Sequence, residues 1–94
     1  MTADSILIIH ESDNVGVALR DLDAGEETRF RGEPAVMILE PVPAGHKMAL
    51  RHIEKGGEIV KYGETVGISA VPIRQGAWVH THNMEPGQWK KTSP

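Results

Sequence analysis

The chain has 94 residues, of which 39% are hydrophobic and 24% are charged, and its formal net charge is −3 at pH 7. A chain of this length can bury enough surface for one hydrophobic core but not for two, which predicts a single domain. Its ten Lys and Arg residues are scattered among thirteen acidic residues, so it has no basic stripe and nucleic acid is excluded as the expected partner.

The sequence contains no cysteine, which excludes disulfides and thiolate chemistry and leaves His, Asp and Glu as the residues that could ligate a metal. It also contains no run of about twenty apolar residues, so no membrane span is expected. The start, Met1-Thr2-Ala3-Asp4, lacks the positive and apolar regions of a signal peptide. Together these features predict a cytoplasmic protein that has no membrane partner.

Short β-strands are indicated by Ile, Val, Leu and Thr, which recur in short runs broken by Gly, Pro and Asp. No stretch keeps apolar residues at helical spacing over three turns, and ten Gly and six Pro residues interrupt the windows where a long helix would fit. The sequence therefore predicts an all-β domain. The expected strands are Ile6–His10, Val15–Leu19, Ala35–Glu40, Lys47–Leu50, Glu58–Tyr62, Thr65–Ser69 and Ala77–Thr81.

A repeated pattern accompanies these strands, in which an apolar residue, an aliphatic residue and a glycine follow one another at three-residue steps. The glycines are 20, 11 and 20 positions apart, which predicts two similar halves related by a pseudo-two-fold axis through the Gly45–Gly56 segment. Each segment is expected to form one 3₁₀ or α turn that ends at its glycine and buries its aliphatic residue. The four segments are Leu19-Leu22-Gly25, Leu39-Val42-Gly45, Leu50-Ile53-Gly56 and Ala70-Ile73-Gly76.

Two basic segments lie at expected strand ends. Gly45-His46-Lys47 follows a repeated turn, where a glycine allows close backbone approach to a ligand and the basic pair suits an anionic substrate. Lys61-Tyr62-Gly63 offers a second cation and a phenol, although an exposed hairpin lysine and a packed tyrosine explain it equally well. His10 and His52 each stand alone, and both are interpreted as structural residues.

The segment His80-Thr81-His82-Asn83 is the sharpest local signal. Alternate residues of a strand point to the same side, so the sequence predicts that His80 and His82 converge with Trp78. Such a pair could ligate a divalent metal, bind an anion when protonated, or have no function. Two ligands make an incomplete metal site, so a metal would be shared with another chain.

The segment after Asn83 lacks any periodicity, and the predicted domain therefore comprises residues 1–84, with residues 85–94 as a C-terminal tail that is loose or docked through Trp89. The chain also lacks a nucleophile elbow, a phosphate-binding glycine loop and a carboxylate pair suited to acid and base roles. Catalysis by this chain alone is therefore not expected.

Ordered motif blocks between about Ile6 and Met84 resemble the N-terminal SAF-type domain of the altronate and galactarate dehydratases. The blocks are Asp13-Asn14-Val15, Gly45-His46-Lys47 with Ala49-Leu50, Lys61-Tyr62-Gly63-Glu64 with Gly67, and Val79-His80 with His82-Asn83. The resemblance implies a β-clip fold and membership of a hydro-lyase system that acts on sugar acids, in which Fe²⁺ or another divalent metal assists loss of a β-hydroxyl group. The sulfolactate sulfo-lyase system is also similar, and it has a small subunit of about this size.

The long catalytic region of the fused dehydratases is not found in this sequence, so the resemblance implies the small accessory subunit of an enzyme whose large catalytic subunit holds or shares the metal. The residues that fall on the matched motifs and are expected to meet substrate or partner are His46, Lys47, His80, His82 and Asn83, with Lys61 and Tyr62 behind them. Two other functions without a part in catalysis are the alternatives to an accessory enzyme subunit: a sugar-acid-binding module and a purely structural subunit. Self-association is left open.

Overall fold

The computed structural model describes residues 5–29 and 35–86, and within these ranges it contains nine β-strands and no helix, which confirms the all-β prediction. No helix in the described ranges is long and apolar enough to cross a membrane. The strands are β1 (Ile6–Leu7), β2 (Val15–Ala18), β3 (Glu27–Thr28), β4 (Val36–Met37), β5 (Lys47–Ala49), β6 (Glu58–Lys61), β7 (Glu64–Ser69), β8 (Trp78–Val79) and β9 (Met84–Pro86).

The strands form three small antiparallel sheets. One sheet has four strands in the order β1-β2-β5-β8, a second pairs β3 with β4, and a third has the order β6-β7-β9. In the largest sheet β5 lies between β2 and β8, with Lys47 opposite both Val17 and Val79. This arrangement is consistent with a SAF-like β-clip fold.

The four repeated segments form one kind of turn. In each, the N–H of the residue after the glycine donates to the carbonyl three positions earlier, as from Glu26 to Asp23 at 3.1 Å and from Ala77 to Arg74 at 3.0 Å. The glycines have φ values between +83° and +92°. A left-handed residue at the third position defines a type II β-turn, so these are β-turns and not the expected 3₁₀ or α turns.

The turns pair within each half of the chain. Leu22 and Val42 exchange two backbone hydrogen bonds of 2.9 Å, and Ile53 and Ile73 exchange two of 2.8 Å. All four side chains are buried. Because the same pattern occurs once in each half, the predicted internal repeat and the core role of its aliphatic residues are confirmed.

The buried apolar side chains form two clusters, each beneath one pair of turns. The first contains Leu22 and Val42 together with Ile38 and Met48, and Trp78 packs against it. The second contains Ile53, Ile59, Ile73 and Val79. The basic segments predicted from the sequence are therefore carried on strands whose inner faces are fixed in these clusters.

Several strands are shorter than their apolar runs predict. The run Ala35–Glu40 contributes only Val36–Met37 to a strand, because Ile38 donates its N–H to Glu26 and Leu39 donates to Gly76 in the turns. Strands β3 and β9 were not expected, because their residues are mostly polar and β9 contains a proline. Proline is tolerated in β9 since that strand pairs only with β7 and lies at a sheet edge.

Strand β9 extends to Pro86, two residues into the segment predicted as a tail. Its Glu85 and Pro86 lie opposite Ile68 and Gly67 of β7. Residues 87–94, including Trp89, lie outside the described residues.

Candidate functional site

Antiparallel pairing of β5 with β8 brings two of the predicted basic segments together. Met48 lies opposite Trp78, and Lys47 lies opposite Val79, so His46 and Lys47 at the start of β5 face the end of β8. His46 itself is the last residue of the Gly45 turn, and its N–H donates to Pro43 at 3.0 Å. The paired strands therefore place residues about 35 positions apart on one surface.

Three histidine rings surround the Trp78 indole, and we call these four residues the Trp78 cluster: His46, Trp78, His80 and His82. His80 stacks on Trp78 with 5.7 Å between ring centroids and an angle of 8° between the planes. The centroid of His82 is 4.9 Å from that of Trp78, and the centroid of His46 is 4.5 Å from that of His80. The predicted convergence of His80, His82 and Trp78 is present, and His46 joins it.

A hydrogen bond fixes the ring chemistry of His46. Trp78 Nε1–H donates to His46 Nδ1 at 3.1 Å. Indole can only donate, so Nδ1 must be an unprotonated acceptor, and a neutral His46 carries its proton on Nε2. His46 therefore keeps Nε2–H available as a hydrogen-bond donor to a bound anion.

A turn, and not strand alternation, brings His80 and His82 to the same side. Strand β8 ends at Val79, and the N–H of Asn83 donates to the carbonyl of His80 at 3.1 Å. The buried Asn83 side chain closes this turn, since its Oδ1 accepts from His80 N–H at 2.9 Å and its Nδ2 donates to the Trp78 carbonyl at 2.8 Å. Asn83, predicted to contact substrate, is thus held against the backbone and positions the two histidines.

Positive charge accumulates at this surface. Burial lowers the pKa of His80, and the neighbouring His46, Lys47 and His82 lower it further. Burial also lowers the pKa of Lys47, and the charge of Lys61 adds to this effect. In the described ranges the one ion pair joins Arg20 to Glu26, so no carboxylate within 4.0 Å offsets these cations. An anion bound here would raise both pKa values and stabilise the charged forms.

Lys61 and Tyr62 lie at the tip of the β6–β7 hairpin. Tyr62 has a φ of +56° and Gly63 a φ of +80°, and Lys61 pairs with Glu64, which together define a type I′ two-residue turn. Lys61 Nζ lies 5.0 Å from the centroid of the Tyr62 ring, within the range of a cation–π contact. The hairpin thus brings Lys61 and Tyr62 together at its tip.

Metal ligation by this chain alone is not favoured by the geometry. Across residues 5–29 and 35–86, no group of three or more His, Asp or Glu side chains is placed to hold a metal ion. His46 Nδ1 already accepts a hydrogen bond from Trp78, which removes one possible ligand atom. A metal at His80 and His82 would need further ligands from another chain, and that role stays a prediction.

Two residues of the first motif block, Asp13 and Asn14, were given no role by sequence reasoning. Asp13 accepts a hydrogen bond from Gly63 N–H, and Asn14 accepts one from Val60 N–H, both at 2.8 Å. Their partners lie 46 to 50 positions away, so no local sequence pattern could have identified them.

The all-β fold and the Trp78 cluster define a small β domain that presents imidazole and ammonium groups on one surface.

Comparison with known proteins identifies its family. The family model described as the altronate/galactarate dehydratase SAF domain matches residues 4–87. The chain is 43% identical over 75 residues to altronate dehydratase of Escherichia coli (strain K12), covering 80% of this chain and 15% of that protein. It is 37% identical over 71 residues to galactarate dehydratase (L-threo-forming) of the same organism, covering 76% and 13% respectively. The chain therefore belongs to the altronate/galactarate dehydratase SAF domain family.

A third relative is itself named as a subunit. The chain is 35% identical over 52 residues to the (2R)-sulfolactate sulfo-lyase subunit alpha of Chromohalobacter salexigens, a match that covers 55% of each protein. The chain thus spans about one seventh of the length of the dehydratases and just over half of this subunit.

Proposed function

We propose that this chain acts as the small accessory subunit of a hydro-lyase for sugar acids, and that it supplies cationic contacts to a site that a large catalytic subunit completes. The observation that carries the proposal is the Trp78 cluster together with Lys47, in which imidazole and ammonium groups gather. Glu40 accepts the Trp78 backbone N–H at 3.1 Å, but among the described residues no carboxylate forms an ion pair with these groups. Cations of this kind favour a carboxylate ligand over a neutral sugar.

The chemistry of elimination makes such a surface useful. Loss of water from a 2,3-dihydroxy acid requires removal of the C2 proton and departure of the C3 hydroxyl, so negative charge develops near the carboxylate. Lys47 can stabilise that charge, and His46 Nε2–H can donate to the carboxylate or to the leaving oxygen. This chain then binds and orients the acid, while the base and any metal come from the large subunit.

Reconstitution tests the proposal. The purified chain is mixed with the separately purified catalytic subunit of the same family, and elimination from altronate and galactarate is measured. We expect turnover only from the mixture, because each chain supplies part of the site. Replacing His46 or His82 by alanine should reduce turnover by on the order of 10²-fold, the usual cost of one lost contact to developing charge.

His52 provides the matched control. It is an exposed histidine next to the buried Ile53, and within residues 5–29 and 35–86 no hydrogen bond or ring contact joins it to the Trp78 cluster. His52→Ala should leave turnover unchanged. Full activity of the large subunit alone would contradict the proposal. So would aldonate binding by the isolated chain combined with normal turnover of the His46→Ala complex, which would indicate a binding or structural module.

A sulfo-lyase is the second candidate, and the match to the sulfolactate sulfo-lyase subunit alpha over 55% of that chain favours it. In that reaction sulfite leaves the carbon skeleton instead of water. The same reconstituted mixture, supplied with (2R)-sulfolactate, separates the two candidates by direct assay of released sulfite. Sulfite release without dehydration of altronate or galactarate would assign the chain to this second reaction.

A further inference from the structure

The β6–β7 hairpin carries an unusual backbone conformation at its tip. Within the part of the chain that the structure describes, Tyr62 is the one non-glycine residue with positive φ. A bulky residue in this conformation costs on the order of 1 kcal/mol or more, and it persists where surrounding contacts hold it. The contacts that hold this tip come from Asp13 and Asn14.

Asp13 holds the tip of the hairpin. Its side chain is only 1% exposed, and its Oδ1 accepts from Gly63 N–H at 2.8 Å. Its other oxygen, Oδ2, accepts from the N–H groups of Ile9 and His10 at 3.2 and 3.1 Å. Burial alone would raise the pKa of Asp13, but the backbone N–H groups that face the carboxylate lower it overall, so the anion is the favoured form.

Asn14 holds the middle of the hairpin by imitating a neighbouring strand. Its Oδ1 accepts from Val60 N–H and its Nδ2 donates to the Glu58 carbonyl, each at 2.8 Å, while its own N–H donates to Val60 at 3.1 Å. The β6–β7 register shifts between Ile59 and Val60, at the strand position that Asn14 contacts. A bulge turns the strand that follows it, so the bonds of Asn14 set the direction of the tip.

The hairpin is joined to the strands of the candidate site, because the Asn14 carbonyl accepts from Leu50 N–H at 2.9 Å, just after β5. Strand β6 also contacts β2, which pairs with β5 through Val17 and Lys47. We propose that Asp13 and Asn14 are positioning residues, which clamp the β6–β7 hairpin so that Lys61 lies beside Lys47 at the edge of the Trp78 cluster. Neither side chain needs to touch a substrate in this role. The consequence for substrate affinity rests on the proposed function, whereas the placement of Lys61 does not.

A double-mutant cycle on the isolated chain tests the placement. The pKa of Lys47 is measured by NMR titration of its ε-carbon in the wild type, in Lys61→Ala, in Asp13→Asn and in the double variant. We expect Lys61→Ala to raise the Lys47 pKa, since one neighbouring positive charge is lost. Asp13→Asn should raise it in the same direction, and the double variant should match Lys61→Ala, because Asp13 acts through Lys61.

Two further variants keep the test decisive. Asn14→Ala removes two bonds to the hairpin from an incompletely buried position, so it supplies the same comparison if Asp13→Asn does not fold. Lys55→Ala removes an exposed lysine from the Gly56 turn and should leave the Lys47 pKa unchanged. An unchanged Lys47 pKa in folded Asp13→Asn or Asn14→Ala, or an additional shift in the double variant, would overturn the proposal.

Affinity for altronate, measured by calorimetry on the reconstituted complex, extends the same cycle. Asp13→Asn and Lys61→Ala should each weaken binding about tenfold, and their effects should not add. If altronate does not bind any variant while the Lys47 pKa still responds as expected, the proposed substrate is wrong and the clamp stands. If altronate binds and the two variants weaken binding additively, the clamp is wrong and the proposed function stands.

Discussion

The four type II turns share one backbone shape, yet the residues that follow their glycines differ in chemistry. Glu26–Glu27 follows the Gly25 turn and Gly57–Glu58 follows the Gly56 turn, which places acidic residues at the entries to β3 and β6. The Gly45 and Gly76 turns instead lead into β5 and β8, the paired strands that carry the Trp78 cluster. The repeated turn therefore sets the fold, and the residues after each glycine set the charge of the surface beside it.

The acidic residues after the Gly25 turn and the basic residues after the Gly45 turn also differ in how their charges are compensated. Glu26 pairs with Arg20 at 2.7 Å and accepts the Asp23 N–H at 2.6 Å, so groups from its own turn and from the residues just before it compensate the charge of Glu26. Lys47 has no such partner among the described residues. An uncompensated, half-buried charge costs stability, and proteins keep such charges chiefly at functional sites.

The largest expected effect contrasts one turn in two surroundings. An added Cβ at Gly76 would lie 2.0 Å from the Met37 carbonyl oxygen, whereas one at Gly25 meets nothing within 4 Å. Gly25→Ala should cost about 1–2 kcal/mol of unfolding free energy, from its positive φ alone. Gly76→Ala should cost about 1–3 kcal/mol more, because the backbone must also shift. Urea unfolding of both variants measures the difference. Equal losses of unfolding free energy would contradict the close approach of the Met37 carbonyl to Gly76.

Two carboxylates that accept backbone N–H groups provide the next contrast. The folded-state pKa of Asp13 is lowered, so its stabilising effect is full above about pH 4, the unfolded value, and is lost as the pH falls through the lower folded value. Asp13→Asn should therefore cost about 1.5–3 kcal/mol at pH 7 and much less at pH 2–3. Urea unfolding across this range checks it.

Glu26→Gln is the control for this pH series. Glu26 also accepts a backbone N–H, but its ion pair with Arg20 is exposed, and exposed pairs contribute little to stability because solvent screens them. The unfolding free energy lost in Glu26→Gln should be smaller than that lost in Asp13→Asn at every pH. A pH-independent cost of Asp13→Asn would show that the charge of Asp13 is not what holds the hairpin.

Lys47→Met should move stability and binding in opposite directions. The pKa of Lys47 is lowered in the folded chain, so its protonated form is disfavoured there, and removing the charge should leave stability at pH 7 unchanged or raise it. Affinity of the reconstituted complex for altronate should fall about 10- to 100-fold, through loss of a charged contact. Calorimetry and urea unfolding on the same variant report both, and loss of stability with unaltered affinity would assign Lys47 a structural role.

Much of the scaffold could be predicted from the sequence because its signals are local. The three-residue steps ending at glycine identified all four turns, and the run around Val15 identified β2, although the turn type was misjudged. The convergence of His80 and His82 on Trp78 was also predicted, but for the wrong physical reason, since the turn closed by Asn83 produces it.

The remainder of the site depends on contacts between distant parts of the chain. His46 meets Trp78 only because β5 pairs with β8, and Asp13 meets Gly63 only because the β6–β7 hairpin folds back onto the segment before β2. Pairing partners of this kind are chosen by the whole fold, so composition and spacing carry no record of them. The resemblance to the dehydratase family placed His46, Asp13 and Asn14 among its matched motif blocks, but it gave Asp13 and Asn14 no role.

The smallest effect concerns the hydrogen bond at the centre of the cluster. Trp78→Phe keeps an aromatic ring but deletes the Nε1–H that donates to His46 Nδ1. The lost hydrogen bond should lower the free energy of unfolding by about 0.5–1.5 kcal/mol. The neutral His46 should then populate the Nδ1–H tautomer as well, which ¹⁵N–¹H correlation spectra of the imidazole detect directly. In the wild type we expect the Nε2–H tautomer to dominate. A wild-type His46 with its proton mainly on Nδ1 would contradict the hydrogen bond, and it would remove the donor that the basic surface is proposed to offer an anion.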